Sequence, residues 1–244
     1  MKGRNKKSGV TKDNNGLNLL YQPIVEPAKN LLVGYECLLR IYDLELGVLT
    51  PDMFMPVTQK DIRLIKRLED WSIGEVLKIS RRPACRDLSI LVLNICTKHF
   101  LDDDFIGATV RLVEKSGYKP DNVYFELNAN ELQEQREKAA GIIAALKNLG
   151  IKVAFYGFVA PQDGGAAGFK PDLIKIPLDA VKNFMADKNA RNYIKVVAIY
   201  GEQRNIEVVA LGVETKEQEE ALFKLGVRKM QGYLYSEPLT LIEN

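Results

Sequence analysis

Short apolar runs alternate with longer amphipathic stretches along nearly the whole chain. Leu17 to Val25 reads as a strand and Leu31 to Ile41 as a second one, joined by the turn-like Glu26-Pro27-Ala28-Lys29-Asn30. Strands joined so tightly are expected to run antiparallel, because a parallel pair needs a long crossover. Pro51 to Gln59 follows as a short helix with proline in its first turn. Ile62 to Ser80 carries Ile62, Ile65, Leu68, Trp71, Ile73, Val76, Leu77 and Ile79, a spacing that buries one helical face and makes Trp71 a core residue.

From there the rhythm is regular. Leu88 to Cys96 is an apolar run followed by a helix to Lys115. Val123 to Leu127 is a strand, then Glu131 to Leu149 a helix stopped by Gly150. Ile151 to Phe155 is a strand, followed by a Gly-rich loop from Gly157 to Gly168. Leu173 to Ile176 is a strand before a helix from Leu178 to Tyr200. Glu207 to Leu211 is a strand before a helix from Lys216 to Leu225, and Lys229 to Leu234 closes the series. Strand–helix repetition of this kind builds a parallel sheet. Eight strand candidates in one chain favour a closed barrel over an open sheet, so the fold class expected is α/β, a TIM-like (β/α)8 barrel with one antiparallel strand. The rhythm contains no linker. The domain reading is a basic, disordered tail over residues 1–16 and one barrel domain over 17–244.

Composition changes this picture little. The chain has 244 residues, 46% hydrophobic and 27% charged, which suits one globular domain. Its 34 basic residues against 32 acidic ones leave a net charge of +2, which gives no footprint for nucleic acid. No apolar run reaches the roughly 18 residues of a membrane span. The stretch Met1 to Asn15 is basic and polar without an apolar centre, so it does not read as a secretory signal. Cys37, Cys85 and Cys96 are scattered and lack metal-ligand spacing; Cys37 and Cys96 read as buried small hydrophobes, and a reducing cytoplasm is expected. The single histidine, His99, reads as a surface or helix-start residue.

In an α/β barrel the chemistry lies at the carboxyl ends of the strands. Those ends offer Glu36 and Arg40, Asn94, Glu126, Tyr156, Lys175, Leu211 or Glu214, and Gln231. Glu36, Asn94 and Glu126 come from three strands, each polar within an apolar run. Three hard oxygen donors at a barrel mouth suit Mg²⁺, Mn²⁺ or Ca²⁺. Each also has a plainer reading, as a capping group or as the partner of a buried cation.

The ordered motifs then resemble one family. Tyr21-Gln22-Pro23-Ile24 is similar to the YQPI opening of EAL domains, and Glu36-Cys37-Leu38-Leu39-Arg40 to the signature that names them, with cysteine for alanine. Phe54-Met55-Pro56 is similar to their FIP segment, Asn94 to the asparagine of their LxVNxS strand, and Glu126 to the first glutamate of their ExTE segment. Leu173 to Ile176 resembles the LKID strand, Val208 to Thr215 the VVAEGVET segment, and Gln231 to Leu239 the closing QGYLFSKPL. The resemblance covers Leu17 to Leu239. It implies a barrel with one reversed strand and hydrolysis of cyclic di-GMP to pGpG on two Mg²⁺ or Mn²⁺ ions.

The departures from the family pattern carry as much weight. Where the family has Asp-Asp-Phe-Gly, whose aspartates bridge and bind the metals, this chain has Tyr156-Gly157-Phe158-Val159. The glutamate of the AEGVET segment is Leu211, the aspartate of LKID is Pro177, and the second acidic position of ExTE is Ala129. The family's Gly-Thr-Gly-Tyr-Ser-Ser loop is replaced by Val159 to Gly168. Glu36, Asn94 and Glu126 remain as a vestige of the first metal site. Tyrosine titrates near 10 and leucine has no donor, so neither replaces a carboxylate. The chain is therefore expected to be no enzyme, to hold no productive metal pair, and to act as a regulatory protein-interaction module, with a metal-independent cyclic di-GMP receptor as the alternative and a residual cyclic di-GMP phosphodiesterase as the second. The expected partner is a regulatory protein, with no nucleic acid and no membrane, and the expected state a monomer or weak dimer. Cyclic di-GMP is the candidate ligand, at a pocket of Gln22, Pro23, Glu36, Leu38, Arg40, Asn94, Glu126, Lys175, Glu214, Gln231 and Pro238. The plainer alternative pairs Glu36 with Arg40 and Glu126 with Lys175 as ion pairs holding the mouth together.

Overall fold

A computed structural model describes residues 16–58, 60–82, 85, 87–157 and 169–241. The tail over residues 1–15 and the loop from Phe158 to Gly168 lie outside the described residues, as do the sequence-based expectations made for them.

Strand β1 (Leu17–Glu26) pairs antiparallel with β2 (Leu31–Asp43), Gln22 standing opposite Glu36. The turn between them is a 3-10 helix over Pro27–Lys29, closed by Asn30 at φ 50°, a left-handed conformation that asparagine tolerates. Strands β4 (Ile90–Asn94), β5 (Val123–Asn128), β6 (Lys152–Tyr156), β7 (Leu173–Ile176), β8 (Glu207–Ala210) and β9 (Lys229–Met230) follow in parallel order from β2. β9 then pairs with β1, antiparallel, through Val25 and Met230. The ring of eight strands is closed, and β1 is the one reversed strand. A ninth strand that the periodicity did not indicate, β3 (Gly47–Leu49), folds back on the end of β2. Its turn is held by Asp43, whose Oδ1 accepts from the amides of Glu45 and Leu46.

The two-residue period of each strand sorts the core into two shells. Leu91, Leu93, Phe125, Val153 and Phe155 face outward into the layer shared with the helices. Ile24, Val33, Ile90, Val92, Tyr124, Ala154, Leu173 and Val209 pack together as a separate cluster that plugs the barrel interior. β2 and β4 approach closely at Gly34, where a Cβ would lie 1.9 Å from the Ile90 carbonyl oxygen, so only glycine fits.

The helices are α1 (Pro51–Thr58), α2 (Ile62–Ser80), α3 (Thr97–Phe100), α4 (Phe105–Ser116), α5 (Arg136–Asn148), α6 (Leu178–Asn183), α7 (Lys188–Arg204) and α8 (Lys216–Lys224). The α2 face is as its spacing indicates, with Trp71 half-buried against the outer core. Two expected helices are interrupted, each by a short polar side chain that binds backbone instead, and a third begins late. Asp102 accepts from the Asp104 amide and separates α3 from α4. Asp187 caps α7 by accepting from the Asn189 amide, separating it from α6. Asn128 accepts from the Asn130 amide, and α5 begins at Arg136 after a 3-10 turn over Gln133–Gln135. The last strand is shorter than expected, because Gly232 to Tyr235 turns tightly, the Tyr235 amide donating to the Gly232 carbonyl.

His99 is a correction. It does lie in a helix, α3, but it is fully buried rather than on the surface, because Glu69 on α2 supplies a partner at 2.7 Å from its Nδ1. Cys37 and Cys85 are buried, whereas Cys96 is only partly so, since it caps α3 at the barrel rim. No helix among the described residues is long and apolar enough to cross a membrane.

Candidate functional site

One strand period above the apolar plug, the inward positions turn polar. Val92 gives way to Asn94, Tyr124 to Glu126, Leu173 to Lys175, and on the reversed strand Ile24 to Gln22. Ala154 gives way to Tyr156 and Val209 to Leu211 on the same rule. Strand register and alternation thus bring side chains from distant parts of the chain to one mouth.

Lys175 is at the centre and is fully buried. Its Nζ lies 2.6 Å from Glu126 Oε2 and 2.9 Å from Glu36 Oε2. Ala154, between Glu126 and Leu173 in the strand register, has no side chain long enough to block the approach. Glu36 has two further donors: Asn94 Nδ2 donates to Oε1 at 2.9 Å and Gln231 Nε2 to Oε2 at 2.6 Å. Gln231 also donates to Gln22 Oε1 at 2.8 Å, and Gln22 Nε2 donates to the Ser236 carbonyl at 3.4 Å. The Gln231 Oε1 atom is buried without a hydrogen-bond partner.

One cation shared by two buried carboxylates neutralises only one of them, and the extra donors decide which. Burial alone would raise Glu36, but Lys175, Asn94 and Gln231 outweigh it and hold its carboxyl below the usual range. Glu126 has Lys175 alone; burial dominates, Glu36 adds like charge, and its carboxyl is pushed up to about 7. Burial works against the Lys175 ammonium, but the two glutamates more than offset it and push its titration upward.

Of the sequence-indicated residues, Gln22, Glu36, Asn94, Glu126, Lys175 and Gln231 meet in this network. The Glu126–Lys175 pair is as the plainer alternative has it. The Glu36–Arg40 pair does not form: four residues along one strand are about 13 Å apart, and Arg40 Nη1 donates to the Leu39 carbonyl instead. Pro23, Leu38 and Arg40 are half-buried around the rim on β1 and β2. Pro238 is half-buried beside Leu239, which bridges to Tyr21 by two backbone hydrogen bonds. Glu214 is exposed outside the network, where its amide donates to Gln218 in the capping of α8.

Tyr156 is more than a third exposed and, with Met55, Asn94, Glu126, Asn128 and Glu131, lines a hollow of about 220 Å³ at the mouth. Asn128 and Ser236 were not singled out from sequence. Asn128 could have been, because it lies one strand period beyond Glu126; the Ser236 contact uses only a backbone carbonyl and leaves no sequence signal. Leu211 is half-buried against the plug. Of the residues left from the first metal site, the Glu36 and Glu126 carboxylates both contact an ammonium and the Asn94 amide donates to Glu36. Among the described residues, no group of three His, Cys, Asp or Glu side chains is arranged to hold a metal ion. These residues do not fit a pair of cations, which would need bridging carboxylates to offset their mutual repulsion.

The sequence model described as "EAL domain" matches residues 9–238. The oxygen sensor protein DosP of Escherichia coli (strain K12) is 26% identical over 230 residues, 93% of this chain and 29% of that protein. The probable cyclic di-GMP phosphodiesterase PdeI of the same organism is 25% identical over 229 residues, 91% of this chain and 29% of that protein. The chain thus spans about a third or less of the length of these curated relatives. Among solved structures, the PaMucR phosphodiesterase in complex with c-di-GMP superposes with a TM-score of 0.82 at 22% identity, covering 92% of each chain. The FimX EAL domain from Pseudomonas aeruginosa bound to c-di-GMP gives 0.80 at 17% identity, covering 92% of this chain and 91% of that one. At these identities the structural likeness speaks to the fold.

Proposed function

The chain belongs to the EAL domain family, and from that premise we propose that it is a non-catalytic regulatory module of cyclic di-GMP signalling that acts through contacts with a protein partner. The observation that carries this reading is the Lys175 ammonium held between Glu36 and Glu126 at 2.9 and 2.6 Å. Glu36 and Glu126 already share a counter-charge inside the protein. Around them stand Tyr156, Gly157 and Leu211, where the family pattern implies carboxylates. A divalent cation would have to displace an ammonium bound by two buried charges and would gain few ligands in return. The reading sets the chain in a reducing cytoplasm, in keeping with the unpaired Cys37, Cys85 and Cys96.

The test is incubation with cyclic di-GMP and excess Mn²⁺, followed by chromatography of the nucleotides. The expected outcome is intact cyclic di-GMP; accumulation of pGpG in proportion to protein would overturn the reading.

A second reading, that of a metal-independent cyclic di-GMP receptor, is favoured by the polar rim. Gln22 and Arg40 are retained, and the Arg40 guanidinium is half-buried at the mouth with a single backbone carbonyl partner among its hydrogen bonds. Arginine suits a phosphodiester through its paired N–H donors. Titration calorimetry with the dinucleotide in EDTA separates the two readings. Saturable heat abolished in Arg40→Ala would select the receptor, and no heat at high micromolar ligand would leave the protein-contact reading.

A further inference from the structure

A cavity of about 940 Å³ lies at the floor of the barrel, the end opposite the mouth. It is walled by the leading ends of β6, β7 and β8 and by the last turns of α5 and α7. The alternation that carries Lys175 to the mouth works at this end too. Lys152 and Glu207 precede the inward residues Ala154 and Val209 by one strand period, so both side chains turn toward the barrel axis beneath the apolar plug. Lys152 is half-buried there, its Nζ 5.1 Å from the ring centre of Tyr124, itself a residue of the plug.

The acids of this cavity are already neutralised, and most of its cations are not. Asp172 Oδ1 meets Lys147 Nζ at 3.1 Å, and its Oδ2 accepts from the Val153 amide at 2.9 Å. Glu207 Oε2 accepts from Lys229. Among the described residues, Lys152, Lys170 and Arg204 make no ion pair, and all three line the cavity. The Arg204 guanidinium is exposed and lies 4.4 Å from the ring centre of Tyr200. An aromatic ring fixes a cation in place, but it leaves the charge uncompensated and most of the N–H donors open. Three positive charges therefore share one cavity without a counter-charge.

We propose that this cavity binds a small organic phosphate: a phosphomonoester on a body of about one ring. A phosphomonoester carries close to two negative charges at neutral pH and three strong acceptor oxygens. Arg204 offers it a paired fork of donors, and Lys152 a point charge already held against a ring. Phe169, Pro171 and Ile206 give the body an apolar wall. Other occupants fit less well. A cation would meet three uncompensated like charges. A neutral body would leave those charges as they are, and a monoanion would offset one of the three. The plug residues Tyr124, Leu173 and Val209 stand between this cavity and the Lys175 network. The proposal is thus independent of whether the mouth binds a dinucleotide.

The full chain, labelled with ¹⁵N, is titrated at pH 7.5 with phenyl phosphate, phenyl sulfate and phenol, and backbone amide shifts are followed. The expected result is saturable shifts at Lys152, Asp172, Arg204 and Glu207 with the phosphate, roughly tenfold weaker binding of the singly charged sulfate, and no saturable shift with phenol. Lys152→Met, which keeps an apolar stem over Tyr124 and removes the charge, is expected to weaken phosphate binding about tenfold. Arg204→Gln, at an exposed position, is expected to do the same, and it carries the test if the β6 variant does not fold. The proposal is overturned if phenyl phosphate causes no saturable shift at these amides, if phenol shifts them as strongly, or if the folded variants bind as the unmodified chain does. It is equally overturned if the shifts are as large at Lys195 and Lys216, outside the cavity, which would mean general ionic screening, or if they fall on Gln22 and Arg40 at the mouth instead.

Discussion

Lys175 brings one positive charge into a space that holds two carboxylates, and Glu126, unlike Glu36, has no further side-chain donor beside it. The sign of the resulting pH dependence can be worked out. The Glu126 carboxyl titrates at about 7 in the folded chain against an ordinary 4.5, so between those values the folded state holds a proton that the unfolded state has released. The stabilisation is full below 4.5 and is lost as pH rises through about 7. Its size is on the order of 3 kcal/mol. Glu126→Gln mimics the protonated form at every pH. Urea unfolding at pH 5, 6.5 and 8 is expected to show the unmodified chain losing stability relative to this variant as pH rises. Glu69 is also raised by burial, but it is present in both proteins and cancels in the difference. Parallel pH curves for the two would refute the assignment.

At the scale of elements, the mouth depends on how closely β2 approaches β4. Gly34→Ala would put a methyl group 1.9 Å from the Ile90 carbonyl oxygen, which neither strand can avoid without moving. The expected cost is about 1–3 kcal/mol. The shift would also spread Glu36 from Asn94, and a circular-dichroism melt together with the Asn94 side-chain amide resonance reports both. The elements show what the sequence makes legible. Every barrel strand was visible from its apolar run, and the reversed first strand from the short Pro-Ala-Lys link. The helix breaks at Asp102 and Asp187 were not, since an aspartate in a helical pattern looks the same whether it faces solvent or takes a backbone amide. The β3 hairpin was missed because three residues carry too little periodicity. Of the site, Glu36, Asn94, Glu126 and Lys175 were legible as polar residues ending apolar runs. The Glu126–Lys175 pair was named as an alternative, but that Lys175 also takes Glu36, in place of Arg40, was not, because strand register around the barrel rather than sequence spacing brings them together, and the buried partner of His99 lies 30 residues away on another helix.

As a whole molecule, the barrel is closed by its shortest strand. β9 contributes two residues, yet it joins β8 to β1 and delivers Gln231 to the network. A chain cut after Gly226 would expose β8 and β1 as two unpaired edges, and such edges recruit other chains. It is expected to elute as soluble aggregate in size-exclusion chromatography; a monodisperse monomer would show that closure is dispensable. The reversed direction of β1 has a practical side. In a barrel whose strands all run the same way, the leading end of the first strand starts at the floor, far from the chemistry. Here Leu17 lies at the rim, level with Ile41, and the Gly16 carbonyl accepts from Tyr42 beside it. Whatever is spliced ahead of Leu17, whether an affinity handle, a fluorophore or a sensory module, is delivered to the doorway of the pocket. A biosensor chip that tethers this protein by its leading end will therefore shade the face it is meant to interrogate.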